Sequence, residues 1–514
     1  MSDRLEVFMF PCLSDNYGFL IHDPIEGLTA TIDTPEVPVI EEALNQKGWA
    51  LTHIINTHHH YDHAGGNLEL KKKTNCKIIG PLADKDRIPG IDITIEHGEK
   101  FNFGSFDVQA FHTPGHTTGH MVYHFKSQNI AFVGDTIFVM GCGRLFEGTP
   151  EQMLKSLVER FVQDHYADGQ RNTYLATPHG FSPETWALLG ELGIIATAFD
   201  ETDGGFETDI KTLTVIFEAL GRGITAEPLI EYAYEAGALF AATASPELKT
   251  AWINQLVSGE KRLALAHTEQ RARDNPLWVE VAATPKDDGF SLTGSKSLVP
   301  SGVGVDGYII STKSIDGSED DLSLFLVPAE TPGLQVAPYR LVDGRVAVKL
   351  DFDAIQIPAS HKLNGGIQAL TAVQQKADIA RCAETLGLME TMFEATLEYL
   401  KTRKQFGRPL GSFQALQHRM VEQYVAIDQL RSLILRLTLL KSDETEELGE
   451  MIAGVRAFAA EAGTDLGHEA IQLHGGMGVS EEVIVATGHK RLMMLARYPY
   501  SAESAMDIYA GVSA

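Results

Sequence analysis

A cluster of histidines directly after a short apolar strand is the feature that most constrains this sequence. The loop THHHYDHAGG (57–66) holds His58, His60, Asp62 and His63 at HxHxDH spacing. Imidazole nitrogens and carboxylate oxygens are the ligands of catalytic zinc and iron sites. Since residues i and i+2 can point the same way, the spacing predicts that His58 and His60 share one metal ion, while Asp62 and His63 face a second. The alternative is a His-rich surface loop, but histidines seldom cluster without a reason.

Two later segments supply further metal donors. The turn HTPGHTTGH (112–120) presents His116, and the strand IAFVGD (130–135) ends at Asp135. A carboxylate between two cations can bridge them, and two metal ions can activate a shared water at neutral pH. Either residue alone would be interpreted as part of an ordinary turn. The ordered set predicts a binuclear metal site.

These motifs, together with PCLSDNYGFLI (11–21) and GDTIFVMGCGRLFEGT (134–149), closely resemble hydroxyacylglutathione hydrolase (glyoxalase II), a family with the metallo-β-lactamase fold. The resemblance covers residues 1 to about 149. It implies an αβ/βα domain that hydrolyses a thioester with water activated by zinc, iron or manganese. It also implies the ligand assignment: one metal is held by His58, His60 and His116, the other by Asp62 and His63, and Asp135 bridges them.

The sequence departs from this family after residue 149. The family continues with a strand ending in Gly-His-Glu-Tyr-Thr, whose His completes the second metal site, and with a helical domain that holds glutathione. Neither is present here. His165 and His179 are the nearest candidates for a replacement ligand, and Arg144 matches a basic position near glutathione. We therefore expect a truncated domain with an incomplete second metal site.

A helix begins where the first resemblance ends. Thr149 is a plausible N-cap, Pro150 fits the first helical position, and Gln152 completes a capping box. Apolar residues then recur at helical period, and the same GTPEQML stretch suits the first helix of a second family. Further periodicity predicts helices at 150–165, 183–193, 208–221, 225–236 and 246–257.

The pattern changes twice more along the chain. Strand signals begin at 278, 290, 307 and 322, separated by Gly, Asp and Pro turns, and long amphipathic helices return from 366 to 514. The order helix, sheet, helix is typical of an enzyme with a cofactor at the junction. We predict four domains: 1–147, 148–265, 266–362 and 363–514.

Three glycine or cation motifs in this region bear on cofactor binding. GVGVDG (302–307) formally matches GxGxxG, but a strand follows it and the dinucleotide fingerprint needs a helix there. LKTRKQFGRPLGSFQ (400–414) groups a cation, an aromatic ring and an amide, which suit phosphate and adenine contacts. QLHGGMG (472–478) is a tight glycine turn that lets a ligand approach the backbone. Either of the last two alone would be interpreted as a helix connection.

Together with WALLGELG (186–193), DGGF (203–206), AHTE (266–269) and GSKS (294–297), these motifs resemble the acyl-CoA dehydrogenases over about 148–514. The resemblance implies FAD, an acyl-CoA substrate, an electron-transfer acceptor and α,β-dehydrogenation. It places Thr268 near the isoalloxazine. It also implies a homo- or hetero-oligomer with another acyl-CoA dehydrogenase chain, in which the ADP part of FAD is contacted by Arg403, Phe406, Gln414, Gln472, Gly475 and Gly476.

The catalytic base is the main departure from this second family. Ser501 occupies the usual position of the Glu in the last helical stretch, and Ser cannot accept the α-proton. Glu503, two residues on, is the predicted base, since burial beside a flavin would tune its pKa. Its alternative is a surface carboxylate. The other family position falls at Ala377, beside Asp378.

The bulk composition limits the possible partners. The net charge of −27 without a basic arm disfavours nucleic acid and anionic membranes. The N-terminus lacks a signal-peptide pattern, no apolar run is long enough to span a bilayer, and four cysteines without CxxC spacing suit the cytoplasm. The main hypothesis is an FAD-dependent acyl-CoA dehydrogenase fused to a thioester-hydrolase-like domain. The alternatives are a working binuclear hydroxyacylglutathione hydrolase and a non-catalytic FAD-binding subunit.

Overall fold

The protein divides into two compact units, Met1–Leu157 (unit 1) and Val158–Ala514 (unit 2). A computed structural model describes residues 4–13, 16–138, 143–166, 169–206, 208–273, 275, 278–315, 317, 321–440 and 445–512. The division lies inside helix α4 (Pro150–His165). The predicted capping box is confirmed there, because the Thr149 N–H donates to Gln152 Oε1 at 3.0 Å and the Gln152 N–H donates to Thr149 Oγ1 at 3.3 Å.

Unit 1 contains two β-sheets. The six-stranded sheet comprises, in order, β1 (Glu6–Cys12), β2 (Asn16–Asp23), β3 (Leu28–Ile32), β4 (His53–Ile55), β5 (Lys77–Pro81) and β6 (Ile93–Ile95). The four-stranded sheet comprises β7 (Lys100–Phe103), β8 (Phe106–His112), β9 (Met121–Phe125) and β10 (Ile130–Phe132). Strands β3 to β6 are parallel. Parallel neighbours need crossover connections, which here include α1 (Val37–Lys47), α2 (Tyr61–Ala64) and α3 (Asn67–Thr74).

The core of unit 1 lies on both faces of the first sheet. One cluster joins Ile55 to Tyr123 and Phe125 of the second sheet. The other joins Ile54 to Ile40 and other apolar side chains of the helices. Because β4 is covered on both faces, its two buried residues, Ile54 and Ile55, are apolar. The histidine loop begins just after the carboxyl end of β4.

Unit 2 begins with helices. They are α5 (Gln170–Ala176), α6 (Pro183–Glu191), α7 (Ile210–Arg222), a π-helix (Ile230–Gly237), α8 (Ala238–Thr243) and α9 (Pro246–Val257). The helices predicted at 183–193, 208–221 and 246–257 are confirmed to within two residues. The helix predicted at 225–236 begins only at Ile230 and has π geometry, which is rare and frequent at functional sites.

Two four-stranded sheets follow in unit 2. One has the order β11 (Leu263–Ala266), β14 (Gly307–Lys313), β15 (Leu322–Pro328) and β18 (Lys362–Leu363). The other has the order β12 (Ala282–Lys286), β13 (Gly289–Pro300), β17 (Val346–Pro358) and β16 (Gln335–Arg340). The strand predicted from Trp278 is wrong, since β12 begins only at Ala282. The physical reason is the buried carboxylate of Glu269, which accepts hydrogen bonds from the N–H groups of Glu280 and Val281.

The last part of unit 2 is helical, as predicted. It contains α10 (Ile367–Thr402), the short hairpin strands β19 (Lys404–Gln405) and β20 (Arg408–Pro409), α11 (Gln414–Leu437), α12 (Thr445–His474), α13 (Ile484–Arg497) and α14 (Ala502–Tyr509). Helix α10 packs against α7, α11, α12 and α13. Among the described residues, no helix has the length and apolar character needed to cross a membrane.

Candidate metal centre and candidate flavin cavity

The metal donors of unit 1 come from three loops that follow strands β4, β8 and β10. Their ligand atoms form two groups, each within 4.8 Å: His58, His60 and His116, and His58, His63 and Asp135. His58 is fully buried and His116 is 3% exposed. His58 belongs to both groups. The residues that are separated by up to 77 positions in the sequence thus meet at one end of the domain.

The first group has the form of a three-imidazole site. His58 Nε2 lies 3.1 Å from His60 Nδ1, and His116 Nε2 lies 3.0 Å from the same His60 nitrogen. The remaining nitrogen of His116 contacts the carbonyl oxygen of Arg144 at 2.6 Å, which fixes its ring orientation. Three converging imidazoles fit zinc, which accepts three protein ligands and leaves a position for water or substrate.

Asp135 lies between the two groups. Its Oδ1 is 3.4 Å from His63 Nε2 and its Oδ2 is 3.2 Å from His116 Nε2. Burial raises the pKa of this carboxyl group, and the neighbouring His63 and His116 oppose the rise. With one oxygen toward each group, Asp135 has the geometry that a bridging ligand would need.

Asp62 lies at the edge of this centre. Its side chain is 46% exposed, and its Oδ2 is 3.5 Å from His63 Nε2. It accepts a hydrogen bond from Asn16 Nδ2 at 3.3 Å. The second group forms around His58 in place of Asp62. The candidate replacement ligands His165 and His179 both belong to unit 2, where their rings contact Phe161 and Phe181.

Asp33 is a residue of the centre that the sequence motifs did not identify. Its carboxylate accepts hydrogen bonds from the Thr57 N–H and Oγ1, both at 2.7 Å, and lies 2.8 Å from His63 Nδ1. Burial opposes protonation of His63, but the adjacent Asp33 carboxylate outweighs it and raises the pKa of His63 to about 9. A carboxylate behind a histidine ligand orients its ring. The sequence feature that could have identified Asp33 is its position directly after strand β3, which corresponds to the position of the histidine loop after β4.

His120 and His59 show that histidines in the same motifs have different roles. His120 is fully buried, and its Nε2 accepts a hydrogen bond from the Asp135 N–H at 3.0 Å, so it supports the bridging residue. His59 points elsewhere, with its ring nitrogens 3.1 Å from Asp84 and 3.3 Å from Glu147. Burial, then the neighbouring histidines, lower the pKa of His58, which keeps this imidazole neutral and able to bind a metal.

Thr268 of unit 2 lies just after strand β11, at the rim of a cavity of about 110 Å³. Its carbonyl oxygen accepts the Ser297 N–H at 3.0 Å, which ties the two sheets together at this point. The other lining residues include His267, Trp278, Gln374, Tyr498 and Tyr500. This is the position that the second resemblance assigns to the isoalloxazine.

A buried ion pair supports the strand that presents Thr268. Lys296 Nζ lies 2.7 Å from Glu269 Oε1, and both side chains are almost completely buried. Burial lowers the pKa of Lys296 to about 8, although Glu269 opposes the shift. The motif resemblance included both residues without assigning them this role. Only the fold shows that they face each other.

Glu503 lies outside the cavity lining. It is exposed in the first turn of α14, where hydrogen bonds from its own backbone N–H and from Ser501 lower its pKa. Ser501 is the N-cap, with its Oγ accepting the Ser504 N–H at 3.3 Å. The described lining residues include no carboxylate. One buried carboxylate behind the lining is Asp378, which accepts a hydrogen bond from the hydroxyl of the lining residue Tyr500.

The six predicted ADP contacts lie on the surface of unit 2. Arg403 follows α10, Phe406 is 88% exposed, and the backbones of Gly475 and Gly476 have open space around them. Gln414 begins α11, and Gln472 lies in the last turn of α12; both are exposed. Arg403 is exposed as well. An arginine side chain and amide side chains fit a diphosphate, and the open space at the two glycines lets a ligand approach the backbone.

These contacts lie far from Thr268 within one chain. Gln374 of the cavity is near the start of α10 and Arg403 is at its end, about 29 residues away, or roughly 43 Å at 1.5 Å per residue. That separation exceeds the length of one dinucleotide. Within one chain, Thr268 and Arg403 are therefore too far apart for a single dinucleotide to contact both.

Comparison with known families assigns the two parts of the chain to different families. Residues 25–175 match the metallo-beta-lactamase superfamily, residues 149–260 match the acyl-CoA dehydrogenase N-terminal domain, and residues 364–510 match the acyl-CoA dehydrogenase C-terminal domain. The chain thus joins a metallo-β-lactamase-superfamily domain to an acyl-CoA dehydrogenase fold. Both resemblances predicted from the motifs are confirmed.

Individual relatives match only one part of the chain each. The hydroxyacylglutathione hydrolase of Maricaulis maris is 55% identical over 157 residues, which is 30% of this chain and 61% of that protein. A solved steroid ACAD variant is 26% identical with a TM-score of 0.63, covering 70% of this chain and 97% of its own. Butyryl-CoA dehydrogenase from Megasphaera elsdenii is 23% identical with a TM-score of 0.64, covering 71% and 98%. The chain spans about three fifths of the length of the hydrolases it matches.

Proposed function

We propose that unit 2 binds FAD and catalyses α,β-dehydrogenation of an acyl-CoA thioester. The observation that carries this proposal is the cavity at Thr268, which lies in an acyl-CoA dehydrogenase fold between the strands and the helical region. Bound FAD supplies a hydride acceptor. The chain itself supplies the Thr268 rim, the aromatic wall of Tyr498 and Tyr500, and the charged and amide groups around Arg403 that suit a diphosphate.

The base of this reaction is proposed to be Glu503. For its carboxylate to reach a substrate α-carbon, the first turn of α14 has to shift toward the cavity, where burial would raise its pKa toward neutrality. Replacing Glu503 with Gln tests this role. Loss of turnover with retained flavin supports it, whereas unchanged turnover in the isolated protein removes Glu503 from the mechanism.

An oligomer with shared FAD sites follows from the separation of Thr268 and Arg403. An apolar groove of about 640 Å³, lined by Phe393, Leu397 and Tyr424 among others, lies beside the Arg403 segment. Exposed apolar grooves of this kind mark subunit contacts. We propose that a second acyl-CoA dehydrogenase chain, identical or different, covers it and completes each FAD site.

Replacing Arg403 with Gln is expected to weaken FAD binding at least about tenfold and so to lower the FAD retained by the protein, because a charge-assisted phosphate contact contributes about 1.5–3 kcal/mol. FAD per chain is measured from the absorption spectrum after gel filtration. Arg436→Gln is the matched control, since Arg436 is exposed on α11 outside the predicted contacts. Equal FAD loss in both variants would contradict the assignment.

The dehydrogenase function is tested by an anaerobic absorption spectrum of the purified protein before and after addition of acyl-CoA thioesters. Bleaching of the flavin band by one of them supports the proposal. A flavin band that no thioester bleaches favours a non-catalytic FAD-binding subunit whose partner supplies the chemistry. Protein that binds no flavin, even after incubation with FAD, contradicts both. An electron-transfer protein is the proposed acceptor of the flavin electrons.

Unit 1 carries a second candidate function, which the converging groups around His58 favour. We propose that it binds one metal tightly through His58, His60 and His116, with zinc, iron or manganese as candidates, and a second more weakly. The metal would supply a Lewis acid, while Asp135, Asp33 and His120 hold the ligand geometry. Turnover of S-lactoylglutathione by metal-loaded protein tests whether thioester hydrolysis survives.

We propose a cytoplasmic location. Cys12, Cys76 and Cys382 are all free thiols and all buried. Burial, with a smaller contribution from Glu36, raises the pKa of Cys12 to about 11, so this thiol stays protonated and unreactive. Free structural thiols suit a reducing compartment.

A further inference from the structure

A cluster of buried charged side chains lies behind the cavity at Thr268. Its members come from the π-helix, the segment before β17, and helices α10, α12 and α13. They are Glu231, Glu235, Asp343, Arg345, Asp378, Arg381, Glu384, Arg456 and Arg491, and each is at most 8% exposed. Charges at this depth are costly unless they are paired.

The pairing in this cluster holds the charges in place. Arg381 bonds Glu235, and its Nη1 donates to Asp378 Oδ1 at 2.9 Å. Arg491 donates to both oxygens of Glu384, at 2.6 and 2.8 Å. Breaking any of these pairs leaves a buried charge, so a ligand cannot displace them at low cost. The cluster therefore acts as a rigid polar body.

Tyr498 separates this cluster from the cavity. It lines the cavity of about 110 Å³ and also a void of about 20 Å³ whose other walls include Glu231, Arg345 and Arg381. The Arg381 guanidinium carbon lies 5.3 Å from the centre of the Tyr498 ring, and Arg456 Nη2 donates to the Tyr498 carbonyl at 3.0 Å. The Tyr498 ring thus packs against Arg381, and the paired charges lie on the side of the ring away from the cavity.

We propose that Tyr498, supported by Arg381, is the end wall of the acyl site and that this protein accepts thioesters of short acyl groups. This inference rests on the proposed dehydrogenase function. In an apolar tunnel, each added methylene increases affinity about fourfold. Beyond Tyr498 an acyl chain meets charges in place of apolar side chains, so lengthening the chain brings no such gain and forces the wall to move.

The test measures binding by the FAD-containing protein, independently of turnover. Enoyl-CoA products perturb a flavin spectrum without being oxidised further, so they are titrated as crotonyl-CoA, trans-2-octenoyl-CoA and trans-2-dodecenoyl-CoA. We expect crotonyl-CoA to bind at least about tenfold more tightly than either longer thioester. Equal or tighter binding of octenoyl-CoA by the unmodified protein would overturn the inference.

Two variants examine the wall itself. Tyr498→Ala is expected to raise the affinity for octenoyl-CoA relative to crotonyl-CoA at least about tenfold. Glu235→Leu combined with Arg381→Met removes the support behind the ring, while Asp378 keeps its contacts with Tyr500 and Arg456. This double variant is expected to shift the ratio in the same direction. Tyr509→Ala is the matched control, since Tyr509 is 49% exposed on α14 and does not line the cavity. Retained flavin and an unchanged circular dichroism spectrum verify folding.

The outcomes separate this inference from the function beneath it. Short and long enoyl-CoAs can both perturb the flavin while the ratio of their affinities is the same in the unmodified protein, in Tyr498→Ala and in the double variant. In that case the proposal that Tyr498 is the end wall is wrong, and the acyl-CoA function stands. If flavin is bound and no enoyl-CoA perturbs its spectrum, the proposed acyl-CoA function is wrong, and the proposal about Tyr498 is wrong as well. A length ratio that changes in the Tyr498 and double variants but not in Tyr509→Ala supports the proposal.

Discussion

Replacing Arg491 with Met is expected to lower the free energy of unfolding of unit 2 by about 3–5 kcal/mol. Arg491 is 5% exposed and donates to both carboxylate oxygens of Glu384. Burial opposes its charge, but Glu384 and Asp343 keep its pKa above the usual range of arginine, so the pair is ionic at any working pH. Methionine fills part of the volume but leaves Glu384 charged in the interior without its two short hydrogen bonds, and the remaining partner Arg345 lies farther away, at 3.8 Å.

The loss is measured by urea unfolding followed through tryptophan fluorescence, since Trp186, Trp252 and Trp278 lie in unit 2. Arg419→Met is the matched control. Arg419 Nε lies 2.6 Å from Glu469 Oε2, but the two side chains are 35% and 29% exposed, so water screens the pair and we expect less than about 1 kcal/mol. A small loss in Arg491→Met, similar to that of the control, would show that the buried network does not stabilise the fold.

Replacing His58 with Ala is expected to reduce the metal affinity of unit 1 by more than about 100-fold. Residues that only orient a metal ligand already contribute about 10–100-fold, and His58 is itself a donor in both candidate groups. Its removal leaves two donors in each group, which is too few for a closed zinc site. Metal per chain is measured after dialysis, and affinity by competition with a chelator.

His59→Ala provides a control that differs by one position. His59 belongs to neither group and contacts Asp84, which is buried, and Glu147. We expect it to retain metal within about twofold. Equal loss in the two variants, or full metal content in His58→Ala, would contradict the centre described here. If S-lactoylglutathione is hydrolysed, its turnover should follow the metal content of each variant.

Local patterns predicted much of the fold. The capping box at Thr149 formed as expected because its hydrogen bonds join residues three positions apart. The GVGVDG segment was correctly interpreted as a turn before a strand, since β14 begins at Gly307. The strand predicted from Trp278 failed because the Glu269 side chain, distant in sequence at that point, takes the backbone donors that a sheet would use.

The metal donors were identifiable from spacing, but their roles were not. The HxHxDH motif predicts His58, His60, Asp62 and His63 alike as metal ligands. Only the folded loops show His58 at the centre and Asp62 at the exposed edge. The supporting roles of Asp33 and His120 were not predicted, because each contributes a hydrogen bond to another residue of the centre, which no motif spacing encodes.

The sequence by itself determined the two families, the position where one pattern gives way to the other, and the types of donor available to metal and flavin. These depend on short-range periodicity and on residue chemistry, which are properties of neighbouring positions. The tertiary structure decided what faces the substrate. It left Glu503 in solvent at a helix start and brought Arg381 and its partners behind Tyr498, because burial and charge pairing depend on residues far apart in the chain.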